Sequence, residues 1–360
     1  MIISIKPWLE KADQPHHALL HSQSREILTG SAEKGSGGEN PKIKKQGGVI
    51  QMAQKQDFYH ESVLAQQVLD AMQPVRGKQL FDGTLGGGGH SEMFLERGAH
   101  VIACDQDSEA LEYAGRRLER FGDCFLPVKG NFVDMDLILR NLGIDLVDGI
   151  LLDLGVSSRQ LDQAERGFSF RKDGPLDMRM DSDSVVTAKD LVNDLDEAEL
   201  ARIFFELGGE RRSRGVAAAI VKARKECEIS TTGQLAEIVA KVIPKTGSKN
   251  PATKVFQGLR IAVNREMECL ESGIKKSLDL LVVGGVLAVI TFHSLEDRLV
   301  KRFLRRHSAP FLDRPEWPEP KVNADYCLRL PSRKAITPVR EELQANPRAR
   351  SAKLRVAVKL

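Results

Sequence analysis

The chain has 360 residues, with 53 Lys/Arg against 50 Asp/Glu and a net charge of +3, enough for one large domain or two modest ones with a sizeable core. So mild a balance neither demands nor excludes a nucleic-acid partner. No apolar run is long enough to span a bilayer, the N-terminus has no secretory signal core, and five dispersed cysteines without a CxxC pair argue against a disulfide framework or zinc site and for a reducing compartment, the cytoplasm.

Residues 1–51 differ from the rest. The polar, low-complexity stretch 31–41 is expected to be disordered. Five acidic residues (Glu10, Asp13, Glu26, Glu33, Glu39) make a poor mitochondrial presequence. The other reading is a start codon taken too early. Gln46-Gly47-Gly48 can be encoded by a purine-rich run resembling a bacterial ribosome-binding site just ahead of Met52, which favours Met52 as the native start.

From residue 57 the chain alternates between strands and helices. A short helix is predicted over 64–72 and a strand over 79–82, followed by a helix from 91 to 97. Strand 100–104 precedes the amphipathic helix 108–120; strand 125–128 precedes helix 135–142; strand 149–152 ends at Asp153. This spacing predicts an α/β fold, a doubly wound, Rossmann-like parallel sheet with helices on both faces. The alternation then stops. Residues 158–262 hold helical periodicity at 191–207, 215–224 and 235–242 and no convincing strand, so an inserted all-helical domain is predicted. The α/β pattern resumes with a helix over 260–281, strand 285–292, helix 295–305 and a closing strand over 354–360. The core is therefore expected from 52–157 and 263–360.

The chemistry centres on Phe81-Asp82-Gly83-Thr84-Leu85-Gly86-Gly87-Gly88-Gly89-His90-Ser91, where the first strand turns into its helix. Glycines there let backbone approach a ligand where a Cβ would collide, although the same run also suits a tight turn with no ligand. A dinucleotide fingerprint, G-x-G-x-x-G/A, counted from Gly86 ends on Ser91, an imperfect fit. S-adenosylmethionine (SAM) carries no phosphate. It asks for close backbone, a carboxylate for the ribose hydroxyls and an apolar wall for adenine. Asp105, ending the second strand, suits the ribose, and Phe132 suits the adenine.

Asp153 ends a buried strand, at the edge where open α/β sheets bind ligands; a helix-capping role is the alternative. Many amino-methyltransferases carry an Asp/Asn-Pro-Pro-aromatic tetrapeptide at this place. The chain has Asp153-Leu154-Gly155-Val156 instead, so the usual carbonyl and aromatic clamp on a target amine is missing.

Several long motifs, in order, carry a resemblance. They are Tyr59-His60-Glu61-Ser62-Val63-Leu64, the glycine loop, and the run from Asp153 through Ser157-Ser158-Arg159-Gln160 to Asp162. They continue with Arg166-Gly167-Phe168-Ser169-Phe170, Gly174-Pro175-Leu176-Asp177-Met178-Arg179-Met180, Thr291-Phe292-His293-Ser294-Leu295-Glu296-Asp297-Arg298 and the run from Asn346 to Arg355. Over about residues 57–360 the chain resembles the RsmH (MraW) family. Gly87 and Ala349 depart slightly from the family's usual residues.

The resemblance implies a SAM-dependent methyltransferase acting on the exocyclic N4 of a cytidine in the decoding region of small-subunit (16S) rRNA. It implies cofactor contacts at Gly88, Gly89, His90, Asp105, Phe132, Asp153 and Gln160. Asp153 is the first candidate to position the amine. His293 and Glu296, after the fifth strand, are candidates to bind the base or take the proton. Phe168 and Phe170, flanked by Arg166, Arg171 and Lys172, are candidates to stack on RNA, or else to pack the inserted domain.

Nine Lys/Arg against two Glu between Arg329 and Lys359 make a basic tail, in which Arg348, Arg350, Lys353 and Arg355 are candidate phosphate contacts. No metal is expected. The expected partner is 16S rRNA, within the small ribosomal subunit; a homodimer stays open. Rival readings are a methyltransferase for DNA or protein, an NAD(P)-dependent oxidoreductase, and a non-catalytic RNA-binding module.

Overall fold

The computed structural model describes residues 62–244 and 250–360. The readings for residues 1–51, for Met52 and for Tyr59-His60-Glu61 lie outside them. Helix α1 (Ala65–Met72) is followed by the alternation the sequence predicts: β1 (Gln79–Asp82), α2 (Gly89–Glu96), β2 (His100–Asp105), α3 (Ser108–Leu118), β3 (Phe125–Lys129), α4 (Met135–Asn141) and β4 (Val147–Asp153). The chain re-enters the sheet through β5 (Leu281–Thr291), followed by α12 (Ser294–His307). Short strands β6 (Phe311–Leu312) and β7 (Lys321–Val322) pair with each other, and β8 (Leu328–Arg329) and β9 (Lys353–Lys359) complete the main sheet.

Seven strands stand in the order β3-β2-β1-β4-β5-β9-β8. The first five pair in parallel, and β9 runs antiparallel to both β5 and β8. Ile150, Leu151 and Leu152 of β4 are fully buried, because helices cover both faces of a parallel sheet and its strands then read as unbroken apolar runs. Two cores result, one per face. One gathers Phe94, Val101 and Leu151, the other Phe81, Ile150 and Leu152, so neighbours along β4 serve opposite faces.

Between β4 and β5 the described residues add only helices to the architecture: α5 (Ser158–Asp162), α6 (Ala188–Asp194), α7 (Glu197–Arg202), α8 (Ser213–Arg224), α9 (Thr232–Val242), α10 (Thr253–Val263) and α11 (Glu266–Leu280). Two predicted helices are broken. The one expected over 191–207 ends at Asp194, because Asp196 accepts the amide of Glu199 and starts a new helix as its cap. The one expected over 260–281 divides at Asn264-Arg265. Arg265 is left-handed (φ 50°), and the Asn264 side chain accepts from the Met180 amide and donates to the Met178 carbonyl. The expected boundary at 262 thus falls inside α10. Strand β5 starts at Leu281, ahead of the predicted Gly285. Among the described residues no helix is long and apolar enough to cross a membrane.

Candidate active site

Strand β1 pairs with β2 on one side and β4 on the other, so the chain changes direction across the sheet between β1 and β4. A crevice opens outside the carboxyl ends of such strands. A cavity of about 300 Å³ lies there, with Gly86, Asp105, Phe132, Asp153 and Glu296 in its wall.

The floor is made by the loop after β1. Buried Asp82 accepts from the Thr84 amide (3.1 Å) and the Ser91 hydroxyl (2.7 Å), tying the loop's two ends together. At Gly83 a Cβ would stand 2.6 Å from Leu152 Cδ2 and 2.8 Å from Phe132 Cβ; at Gly89 it would overlap the Ser62 hydroxyl. Gly86 is left-handed (φ 49°), with nothing nearer than 3.9 Å to a Cβ built on it, and its amide donates to Asp105 Oδ2 at 2.8 Å. Gly88 is left-handed too but packs against Ala114 and Leu118 of α3, outside the cavity wall.

The Asp107 amide donates to Asp105 Oδ1 at 2.9 Å. Each Asp105 oxygen keeps a second lone pair for a hydroxyl donor. Burial pushes its carboxyl up to about 6, against the opposing pull of the Asp107 and Gly86 amides. Phe132 turns toward the cavity because two glycines make way: a Cβ on Gly83 or on Gly273 of α11 would strike it. Gln160 is buried in the wall. Its side chain accepts from the Ser157 amide and donates to Asp107 Oδ2, which also takes the Arg166 guanidinium at 2.8 Å. These residues can hold an adenosyl group: acceptors for the ribose, an aromatic wall and backbone without Cβ.

On the other side of the loop, buried His90 places Nε2 3.5 Å from Asp153 Oδ2. The Asp153 amide donates to the Thr84 hydroxyl at 2.7 Å, which fixes the end of β4 to the glycine loop. Asp153 Oδ1 is buried and has no partner among the described residues. The same cavity is lined by residues of α10, α11 and α12. Arg260 binds Glu266 through two 2.8 Å hydrogen bonds. Glu296, 2 % exposed, accepts from the Phe292 and His293 amides, and its Oε1 lies 3.0 Å from His293 Nε2. His293 in turn caps α12 by accepting the Glu296 amide on Nδ1. Burial alone would raise Glu296, but His293 and Arg260 outweigh it and hold the carboxyl below the ordinary range.

Most of the expected RNA contacts are committed elsewhere in the fold. Phe168 is 7 % exposed and lies in the core, which corrects the expectation that it stacks on RNA. Phe170 packs edge-on against Phe256, ring centres 4.9 Å apart. Arg355 (11 % exposed) and Lys353 both bind Asp297, at 2.8 and 2.9 Å. Arg348 reaches Asp162 at 2.6 Å, and Arg350 is exposed. Two physical reasons account for this: apolar rings leave water when packing partners exist, and cations find carboxylates that sequence distance hides.

Sequence reasoning missed Arg260, Asn264, Glu266, Cys269 and Met180, all in the wall. The motif 174–180 was visible, but nothing in it showed that Asn264 would draw it over the cavity.

Fold and site together define a SAM-dependent methyltransferase of the α/β class. The chain belongs to the MraW methylase family, whose model matches residues 57–360. It is 48 % identical over 311 residues to the ribosomal RNA small subunit methyltransferase H of Trichlorobacter lovleyi, a match covering 85 % of this chain and 99 % of that one. It is 46 % identical over 307 residues to the protein of the same name from Carboxydothermus hydrogenoformans, covering 84 % and 99 %.

Proposed function

We propose that this protein transfers a methyl group from SAM to the exocyclic N4 of a cytidine in small-subunit (16S) rRNA, in the cytoplasm, with the parallel sheet and its flanking helices as the catalytic core and the helices between β4 and α11 as an inserted domain. The observation that carries this reading is the Asp153 carboxylate, which ends β4 in the cavity wall, is tied to the glycine loop through its amide and stays partly exposed. SAM, when bound, supplies an electrophilic methyl on its sulfonium. Asp105 would hold the ribose hydroxyls, and Phe132 and Gln160 would flank the base.

The amine of cytosine is a weak nucleophile, because its lone pair is delocalised into the ring. A carboxylate accepting one amine N–H aligns that lone pair and receives the proton released on methylation. Asp153 can do both, with His90 Nε2 at 3.5 Å from its other oxygen. Glu296 and His293 engage each other and two backbone amides, so we assign them to shaping the base pocket rather than to carrying the proton.

Cys269 supports N4 over a ring carbon. Methylation at a pyrimidine carbon calls for a thiolate adding to the ring. Cys269 is the only thiol in the wall among the described residues, and burial pushes it up to about 11, leaving little thiolate at neutral pH. The similarity to proteins named for small-subunit rRNA supports the substrate class.

The test is incubation of the protein and labelled SAM with small subunits, and separately with naked 16S rRNA, from a strain lacking this activity. N4-methylcytidine in the digested RNA is the expected product. Label at C5, or in ribosomal protein alone, would overturn the reading.

A further inference from the structure

The outer face of α12 carries Arg298, Lys301, Arg302 and Arg305, all exposed. Their spacing, i, i+3, i+4 and i+7, puts them on one side of the helix, over about 10 Å at 1.5 Å per residue. Val300 and Leu304 bury the opposite side. The helix does not gain from this arrangement. Arg298 stands one turn from Arg302, and Lys301 one turn from Arg305, and like charges so spaced destabilise a helix. Arg298 also lies near the positive end of the helix dipole.

Local carboxylates do not relieve the charge. Asp297, one turn before Lys301, is bound instead to Lys353 and Arg355. Asp325 is bound to Arg306. Among the described residues no carboxylate lies within ion-pair distance of Arg298, Lys301, Arg302 or Arg305. Arg355 also donates to the Arg333 carbonyl at 3.5 Å, which sets the exposed pair Arg333-Lys334 beside the helix. The stripe starts at the active site: His293 caps α12, and Glu296 in its first turn is in the cavity wall.

We propose that this face of α12 docks the phosphate backbone of the RNA substrate and leads it to the cavity. The proposal rests on the reading that the substrate is RNA. A row of unneutralised cations beside a methyl-transfer site is complementary to a polyanion, and phosphate contacts of this kind position RNA without reading its sequence. It takes over the role expected of Lys353 and Arg355, which the fold holds on Asp297.

The test uses the full chain with R298Q/K301Q/R302Q/R305Q. Two labelled RNAs serve as probes, a fragment of the 16S decoding region and an unrelated hairpin of equal length, each titrated across a salt series. SAM binding is measured in parallel. The expected result is unchanged SAM affinity, weakening of both RNAs by about tenfold or more, and a salt slope shallower by about two to four. Should the fourfold variant not fold, R302Q and R305Q singly are each expected to reduce the slope by about one. Wild-type affinity and slope in these variants would overturn the proposal, as would binding of the wild type to anionic phosphatidylserine vesicles in place of RNA. Methyl transfer by the wild type to small-subunit rRNA reports separately on the functional reading, so the two can fail independently.

Discussion

The two walls of the cavity are assembled in different ways. Most of the proposed cofactor wall comes from one stretch, Asp82 to Phe132, in which backbone amides, glycines and the Asp105 carboxylate make the surface, with Gln160 of α5 added from outside it. The facing wall draws Asp153 from β4, Arg260 from α10, Glu266 and Cys269 from α11 and Glu296 from α12. The first uses missing side chains; the second combines the Arg260–Glu266 ion pair and the buried Glu296 with an Asp153 oxygen that has no partner among the described residues. At Gly83 and Gly89 the backbone wall has no room for an added Cβ, whereas in the Arg260–Glu266 pair the loss of one partner leaves the other charge unpaired.

The sharpest way to separate the walls is at Asp153. Asp153→Asn keeps the volume and removes the proton acceptor. Turnover is expected to fall roughly 10²–10⁴-fold, with SAM affinity changed far less, as measured by label transfer to small-subunit rRNA against calorimetry. Near-normal turnover would return Asp153 to a purely structural place.

A smaller effect, on the cofactor wall, is expected at Asp105. Losing hydrogen bonds to a charged acceptor weakens binding by about 1.5–3 kcal/mol, so Asp105→Ala should raise the SAM Kd by one to two orders of magnitude while kcat at saturation holds. The same group gives a pH signature. Its pKa is raised to about 6, so the proton is present below that pH and gone above it. SAM affinity should decline as pH falls from 7 to 5, with protons released on binding near pH 6, and both trends should vanish in Asp105→Asn. A pH-independent affinity in the wild type would show that Asp105 does not meet the ligand.

Gly83→Ala tests the intolerance of the backbone wall. Its Cβ would press on Leu152 and Phe132, an overpacking expected to cost about 1–3 kcal/mol of stability and to shift Phe132 as well. Chemical denaturation together with SAM binding measures both. A neutral result would mean the loop can move aside.

The smallest effect is expected away from both walls, at Asp297. Lys353 and Arg355 hold its carboxyl below the ordinary range, more than offsetting the upward push of burial. A depressed folded pKa stabilises the protein above the unfolded value, and that gain is lost as pH falls through the folded one. Asp297→Asn should therefore lower Tm at neutral pH by the equivalent of about 1–2 kcal/mol and flatten the acid side of its pH dependence. An unchanged profile would mean that Lys353 and Arg355 are free for RNA after all.

The cofactor wall is legible in the amino-acid order because its parts are local. A glycine loop, a carboxylate ending the next strand and an aromatic after the third are fixed relative to one another by the strand–helix–strand spacing itself. The facing wall is legible only as fragments. Asp153 stands out as the polar end of β4, and His293 and Glu296 as polar residues after β5 at capping-box spacing, but nothing in the sequence places Arg260 and Glu266 beside them. Phe168 beside Arg166 reads equally well as an RNA-stacking pair or as core. Burial decides between those, and burial depends on what packs over the ring.

Short-range periodicity and backbone permissiveness made the alternation from β1 to β4, the helical interruption after it and the return to β5 readable in the sequence, along with the glycine loop and the carboxylate at the end of the next strand. Pairing between segments far apart in the chain came only with packing: Asn264 with Met178 and Met180, and Asp297 with Lys353 and Arg355. The physical reason is that a charge in the sequence has a sign but no partner. Only the packed chain shows which cations are already neutralised and which, on α12, still face solvent.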